Sequence, residues 1–275
     1  MPEVSVILSF YNKIDYLKLV LAGFAVQSFK DFEIIIADDG SKPEVVAGLE
    51  ELFKRYHIEI THLWQEDKGF RKNRILNKAI EVAGSGYLVF SDADCIPHSK
   101  FVEEHYHNRE DKTVLAGRRV NLSEKITENL SVEKIESYYL ERKFGSLILD
   151  GIFGKSAYVE KGIYLKNKFL RKLANKKQRG LLGSNFSIHK KDLFEINGFD
   201  ERYKAPSIGE DSDVQYRLEL NGVKVKSLNN IAIQYHLYHK LLPRPQENLD
   251  LFERVKSENS AFTKYGIFKT EMPEQ

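Results

Sequence analysis

The sequence predicts an α/β fold, a mainly parallel central sheet flanked by helices. Three observations predict it. Short apolar runs, mostly β-branched (Val4-Ser5-Val6-Ile7-Leu8, Ile34-Ile35-Ile36) and in one case Leu88-Val89-Phe90, recur through the first 120 residues. The segments between them carry apolar residues at helical spacing. Two of the runs end in acidic clusters, Asp38-Asp39 and Asp92-Ala93-Asp94. Strands covered on both faces read as continuous apolar runs, and parallel neighbours need the intervening helices as crossovers.

The elements follow in order. Residues 4–8 form a buried strand, and Leu17, Val20, Leu21 and Phe24 mark a helix over 14–27. A second strand, 33–37, is closed by Asp38-Asp39-Gly40-Ser41. The next helix, 43–56, has Pro43 in its first turn, where a missing N–H costs nothing. A strand at 58–63 leads to a helix over 71–82 with Ile75, Leu76, Ala79 and Ile80 on one face. Strands at 87–90 and 113–116 follow. Beyond Asn121 the pattern changes: 130–144 reads as one charged amphipathic helix, and 151–183, rich in Gly and Lys, takes no assignment. A strand at 185–188 precedes a short helix over 192–195 stopped by Asn197-Gly198, and a helix over 211–220 stopped by Asn221-Gly222. Strands at 223–225 and 231–233 and a polar, helical tail complete the chain. The expected organisation is a first half, 1–120, a second half of the same domain, 121–240, and a tail, 241–275.

Composition sets few limits. The 275 residues carry a net charge of +2, so no global charge argues for nucleic acid. Cys95 is the only cysteine, which excludes an intrachain disulfide and fits a reducing compartment. The longest apolar run, 17–26, is interrupted by Lys18 and Gly23 and is too short to span a bilayer. The opening Met-Pro-Glu does not read as a secretory signal. The expected location is cytoplasmic, or peripheral at the inner face of a membrane.

In an open parallel sheet, ligands bind beyond the carboxyl ends of the strands. Both acidic clusters lie there, and carboxylates crowded on one rim call for a cation or donors to balance them. Asp92 and Asp94 suit a hard cation, Mg2+ or Mn2+, holding phosphate oxygens. Gly209-Glu210-Asp211-Ser212-Asp213 adds carboxylates at a helix start. Aspartates at strand ends also form turns, and acids at helix starts also cap. Local chemistry alone leaves both readings open.

The ordered set resembles inverting family 2 glycosyltransferases. Residues 4–13 look like their opening strand, Asp38-Asp39-Gly40-Ser41 like their second, and Asp92-Ala93-Asp94 like their Asp-x-Asp motif. Gln65-Glu66-Asp67-Lys68-Gly69-Phe70-Arg71 through Asn77 is similar to the donor-binding helix of bacterial chondroitin polymerases. Gly183-Ser184-Asn185, Gly209-Glu210-Asp211 and Ile231-Ala232-Ile233-Gln234-Tyr235-His236 resemble the C-terminal half shared with galactosyltransferases. The resemblance implies a GT-A fold and transfer of a sugar from a UDP-sugar to a saccharide or lipid-linked saccharide hydroxyl, with inversion. It implies that Tyr11 stacks near the base and that Asp39, with Asp38, contacts uracil or ribose. Lys68, Arg71 and Arg74 approach the nucleotide, and Asp92 lies near the ribose and donor sugar. Asp94 and His236 hold the metal, with His239 the alternative ligand. Asp211 is the general base, with Ser184, Asn185 and Glu210 on the acceptor side. One departure stands out: Pro206-Ser207-Ile208 replaces the aromatic usual before Gly-Glu-Asp, so a sugar platform is either missing or supplied elsewhere, for example by Tyr203.

Residues 161–179 hold eight Lys and Arg with no acid between them. They read either as solvated surface or as a patch for an anionic acceptor, a lipid-linked pyrophosphate or a membrane. No nucleic-acid motif accompanies them. Two other functions compete. A haloacid-dehalogenase-type phosphatase also carries Asp-x-Asp after a strand, but that strand comes early in its fold. A non-catalytic sugar-binding module would not need both metal ligands and Asp211.

Overall fold

A computed structural model of the chain describes residues 1–153, 155–205, 210–240 and 245–269. The chain begins with β1 (Val4–Phe10), α1 (Ile14–Ala25), β2 (Phe32–Asp38), α2 (Pro43–Phe53), β3 (Ile60–Trp64), α3 (Lys72–Val82) and β4 (Tyr87–Asp92). Then come β5 (Cys95–Pro97), α4 (Phe101–His107), β6 (Thr113–Ala116) and β7 (Arg118–Asn121). Four short helices follow: α5 (Glu124–Glu128), α6 (Val132–Glu136), α7 (Tyr139–Arg142) and α8 (Phe144–Ile152). A 3-10 turn at Val159–Gly162 and α9 (Lys168–Ala174) lead to β8 (Asn185–His189) and α10 (Lys190–Glu195). The chain ends with α11 (Glu210–Leu220), β9 (Lys224–Ser227), β10 (Ile233–His236) and α12 (Gln246–Glu258).

Seven strands form the main sheet in the order β3-β2-β1-β4-β8-β6-β9. The first four run parallel; β8 is antiparallel to both β4 and β6, and β6 pairs parallel with β9. Every residue of β2 is buried, as are all but Ser9 in β1. That two-sided burial explains why these strands read as unbroken apolar runs. The helices pack their apolar stripes on the two faces: Leu17, Val20, Leu21 and Phe24 of α1 on one, and Ile75, Leu76, Ala79 and Ile80 of α3 on the other. A small second sheet, β5-β10-β7, lies at the carboxyl end of β4. In it His236 of β10 stands opposite Cys95 on one side and Asn121 on the other.

β8 is held at the centre by a buried polar chain. Tyr87 Oη and Ser187 Oγ lie 2.7 Å apart, Ser187 Oγ lies 2.7 Å from His105 Nδ1, and His105 Nε2 lies 3.1 Å from Asn185 Oδ1. The Asn185 amide then donates to the carbonyls of Arg118 (2.9 Å) and Ala232 (3.1 Å). The contact is so close that a Cβ on Gly117 would lie 2.0 Å from Asn185 Oδ1. Burial lowers the His105 pKa to about 4, so the ring stays neutral and the chain of partners holds.

Several expectations need correction. The single helix expected over 130–144 is broken: Tyr138 sits at φ 60°, in the left-handed region, and separates α6 from α7. The unassigned stretch 151–183 contains the 3-10 turn and α9. The last two strands fall later than expected, at Lys224–Ser227 and Ile233–His236.

Candidate functional site

The carboxyl ends of β1, β2 and β4, the small sheet and the start of α11 converge on one rim. After β1, Asn12 adopts φ 58°, accepts a hydrogen bond from Lys42 N through its side chain, and donates its own N–H to Ser41 Oγ. The turns after β1 and β2 are therefore locked together. Gly40, at φ +97°, lets the loop 65–71 cross directly over it; a Cβ there would lie 2.6 Å from Asp67 Cα.

Asp39 holds that loop. Its carboxylate accepts from Gln65 Nε2 (2.7 Å) and from the Arg71 backbone N–H (2.8 Å). Burial pushes its pKa up, and these two donors oppose the shift. Tyr11 is half exposed on the rim and donates to Asp67 Oδ2 at 2.9 Å. Lys68 is exposed and paired with Glu66, and Arg74 lies in the first turn of α3, half buried. The Arg71 guanidinium donates to the Glu66 carbonyl, while its Nε is buried without a partner. Asp38 is different: it has no exposed surface, and its oxygens serve Ser41 N (2.8 Å) and His62 Nε2 (3.0 Å). The expected donor contact through Asp38 gives way to a turn-holding role, because its carboxylate points inward.

Two carboxylates face each other across the cleft through a residue that motif reading passed over. Lys72 Nζ lies 3.1 Å from Asp92 Oδ1 and 3.3 Å from Glu210 Oε1. Asp92 also accepts from Ser9 Oγ. Burial disfavours the Lys72 ammonium, but Asp92 and Glu210 outweigh it and raise its pKa. Burial also raises the Glu210 carboxyl, against the pull of Lys72, and leaves Glu210 Oε2 without a partner. A lysine one residue after the Arg71 of the donor-helix motif was the available signal.

Asp94 faces two imidazoles. Its Oδ2 lies 3.2 Å from His239 Nε2 and 3.6 Å from His236 Nε2, and the two Nε2 atoms are 3.1 Å apart. Burial pushes the Asp94 carboxyl up, and the two histidines outweigh it, holding it well below the usual carboxylate range. The Leu237 N–H donates to the Asp94 carbonyl at 2.8 Å, which ties β10 to the Asp-x-Asp turn. One carboxylate oxygen and two imidazole nitrogens within about 3–4 Å fit a divalent cation such as Mn2+ or Mg2+. Both ring nitrogens, the expected His236 and the alternative His239, approach the same Asp94 oxygen. The Cys95 thiol also neighbours Asp94, but burial raises its pKa well above the ordinary value. Arg119, unflagged by any motif, lies beneath this group and donates to Ser184 Oγ at 3.2 Å.

On the far side Asp211 opens α11. It accepts from the Gly183 N–H (3.2 Å) and from Ser212 N (2.8 Å), and is partly exposed. The rest of the acidic run divides. Asp213 is buried on Arg217, whose guanidinium also donates to the carbonyls of Ile196 and Gly198. It belongs to the core and not to the site. Two acceptor-side expectations also need correction. Asn185 has no exposed surface, and its amide is fully engaged in the buried chain described above. Tyr203 is likewise buried, against Leu251 and Val255, so it offers no sugar platform. Gly209 and Pro206-Ser207-Ile208 lie outside the described residues.

Comparison with known proteins places this geometry. Chondroitin synthase of Escherichia coli is 25% identical over 243 residues, covering 85% of this chain and 34% of that protein. Glycosyltransferase GlyA of Streptococcus pneumoniae is 25% identical over 245 residues, covering 88% of this chain and 32% of that protein. The chain thus spans about a third of the length of these relatives. Among solved structures, S. aureus TarS in complex with UDP-GlcNAc superposes with a TM-score of 0.58 at 17% identity, covering 94% of this chain and 66% of that one. A mannosyltransferase of Pyrobaculum calidifontis, in complex with GDP-Man and Mn2+, gives 0.56 at 12%, covering 94% and 70%. These likenesses show the GT-A fold. Residues 168–240 match a model described as the N-terminal domain of galactosyltransferase, and residues 5–171 match the family 2 model. The latter match takes in most of the chain, which belongs to glycosyl transferase family 2.

Proposed function

We propose that this chain transfers a sugar from a UDP-sugar to the hydroxyl of a saccharide or lipid-linked saccharide, with inversion and with a divalent cation. The observation that carries the reading is the meeting of Asp94, His236 and His239 on the rim where Asp39 and Tyr11 also stand. The UDP complex of TarS and the Mn2+ complex of the mannosyltransferase support it by analogy of fold. A bound Mn2+ or Mg2+ would supply positive charge where the leaving diphosphate gains negative charge.

The chain's own residues do the rest. Asp39 fixes the loop 65–71 against the nucleotide side, and Tyr11 offers an exposed ring for the base. Lys72 keeps Asp92 and Glu210 together on opposite walls. Asp211 takes the proton of the acceptor hydroxyl as its oxygen bonds the anomeric carbon. The bond to the diphosphate breaks, and UDP leaves with the electron pair. One base and one displacement give inversion. Asp211 suits the base role better than Glu210, whose carboxylate is held by Lys72, while Asp211 is bound only by backbone donors.

Calorimetric titration of UDP, GDP and dTDP with and without Mn2+ tests the reading. UDP is expected to bind at least roughly 10-fold tighter with metal. Equal affinity in chelator would overturn it.

A further inference from the structure

The segment 142–179 differs from the rest of the molecule in charge and in exposure. It holds eleven Lys and Arg against Asp150 and Glu160, a net of +9 in a chain of net +2. Nine of the seventeen exposed large hydrophobic side chains among the described residues lie between Ile148 and Leu173. Charge and apolar exposure therefore coincide on one stretch.

Two helices carry most of these side chains. α8 turns Leu147 into the core and leaves Ile148, Leu149 and Ile152 exposed, with Phe153 following at 77% exposure. Beside it an open depression of about 400 Å³ is lined by Phe144, Ile152, Tyr158 and Ile163, among others. α9 has no buried residue. Its anchor is Arg171, which grips both oxygens of Glu104 in α4 at 2.9 and 2.5 Å. Phe169, Leu170 and Leu173 fall within an arc of about 100° on the side of the helix away from Arg171. Tied inward by Arg171, α9 points that apolar arc outward, with Lys172 beside it.

We propose that α8, the 3-10 turn and α9 form an interfacial docking surface for a bilayer containing anionic lipid. The apolar side chains enter the acyl boundary while the lysines reach headgroup phosphates on long flexible stems. The near absence of acid argues for a uniformly anionic partner, since a folded protein face presents mixed charge. No helix among the described residues is long and apolar enough to cross a membrane, so the contact is peripheral. The segment adjoins the candidate site: Ala157 bridges to Asn121, which pairs with His236, and shortly past the segment's end the Gly183 N–H binds Asp211. Docking would thus set the acceptor side at the lipid surface. The docking claim stands by itself; its consequence, a lipid-linked acceptor, rests on the transferase reading above.

Vesicle cosedimentation tests it, using phosphatidylcholine with and without phosphatidylglycerol. The chain is expected to bind the anionic vesicles and to lose at least roughly 10-fold in affinity between about 0.02 M and about 0.5 M salt. Ile152→Asp/Phe153→Asp and Phe169→Asp/Leu173→Asp are each expected to weaken binding roughly 10-fold or more. Both should leave thermal melting and UDP–Mn2+ affinity unchanged, which separates lost docking from lost folding or a failed donor reading. Absence of binding at low salt, or wild-type binding by both variants, overturns the proposal. So does a solution dimer that these variants convert to monomer, which would give the face to a second copy of the chain.

Discussion

Two buried polar networks meet β4, and they differ in how completely they are satisfied. In the Tyr87–Ser187–His105–Asn185 chain every side-chain donor and acceptor has a partner within the protein. Around Asp39, Asp92 and Glu210 the balance fails: Gln65 Oε1, Arg71 Nε and Glu210 Oε2 are buried with none. Buried polar atoms in folded proteins are nearly always paired, and an exception calls for a reason. The first network closes on itself and holds β8 in place. The second has capacity left over for a ligand. Polar residue types are shared between them, and unpaired atoms also occur in the core, on Asp213 and Tyr203; what marks the rim is that three of them cluster beside Asp39 and Glu210.

Variants can break this distinction or sharpen it. The largest effect is expected from Asp94→Ala, which removes the oxygen both histidines share. Transfer should fall roughly 10³-fold or more, and metal should no longer improve UDP binding. Metal-enhanced binding that survives the change would remove Asp94 from the site. Asp211→Asn keeps the shape and cannot take a proton. Turnover at saturating substrates is expected to drop roughly 10²-fold or more, with UDP–Mn2+ affinity within a few-fold of wild type. Near-normal turnover would place the base elsewhere, and Glu210→Gln run in parallel tests the neighbour.

Lys72→Met leaves Asp92 and Glu210 facing each other without their shared cation. Donor affinity should weaken roughly 10-fold, in line with charge-assisted hydrogen bonds. Unchanged affinity would mean that the lysine matters only without ligand. The smallest effect on transfer, a few-fold at most, is expected for His105→Gln in the satisfied network. Its signature lies in stability. Burial holds the folded pKa at about 4, below the unfolded value near 6.5, so the unfolded chain binds more protons between them. Stability from the neutral ring is full above that window and is lost as pH falls through it, by about 3 kcal/mol at pH 4. Denaturant melts from pH 4 to 7 should show a shallower slope for the variant; an identical slope would mean that His105 is not the group titrating.

The sequence by itself determined the parallel core and the rim on which the acids collect. Val4 to Leu8, Ile34 to Ile36 and Leu88 to Phe90 are apolar because both faces of those strands are covered, a property written locally in each segment. The acidic ends at Asp39, Asp92 and Asp94 were legible for the same reason. Only the tertiary structure decided the rest. β5 and β7, of three and four residues, have no period of their own and exist because β10 lies between them. The helix expected over 130–144 breaks at Tyr138, whose backbone stands in the left-handed region. Asp38 and Asn185 look like site residues in sequence and turn inward, while Lys72 looks ordinary and spans the cleft. Burial and partner choice join residues more than a hundred positions apart, as with Lys72 and Glu210, and no local pattern records such pairings.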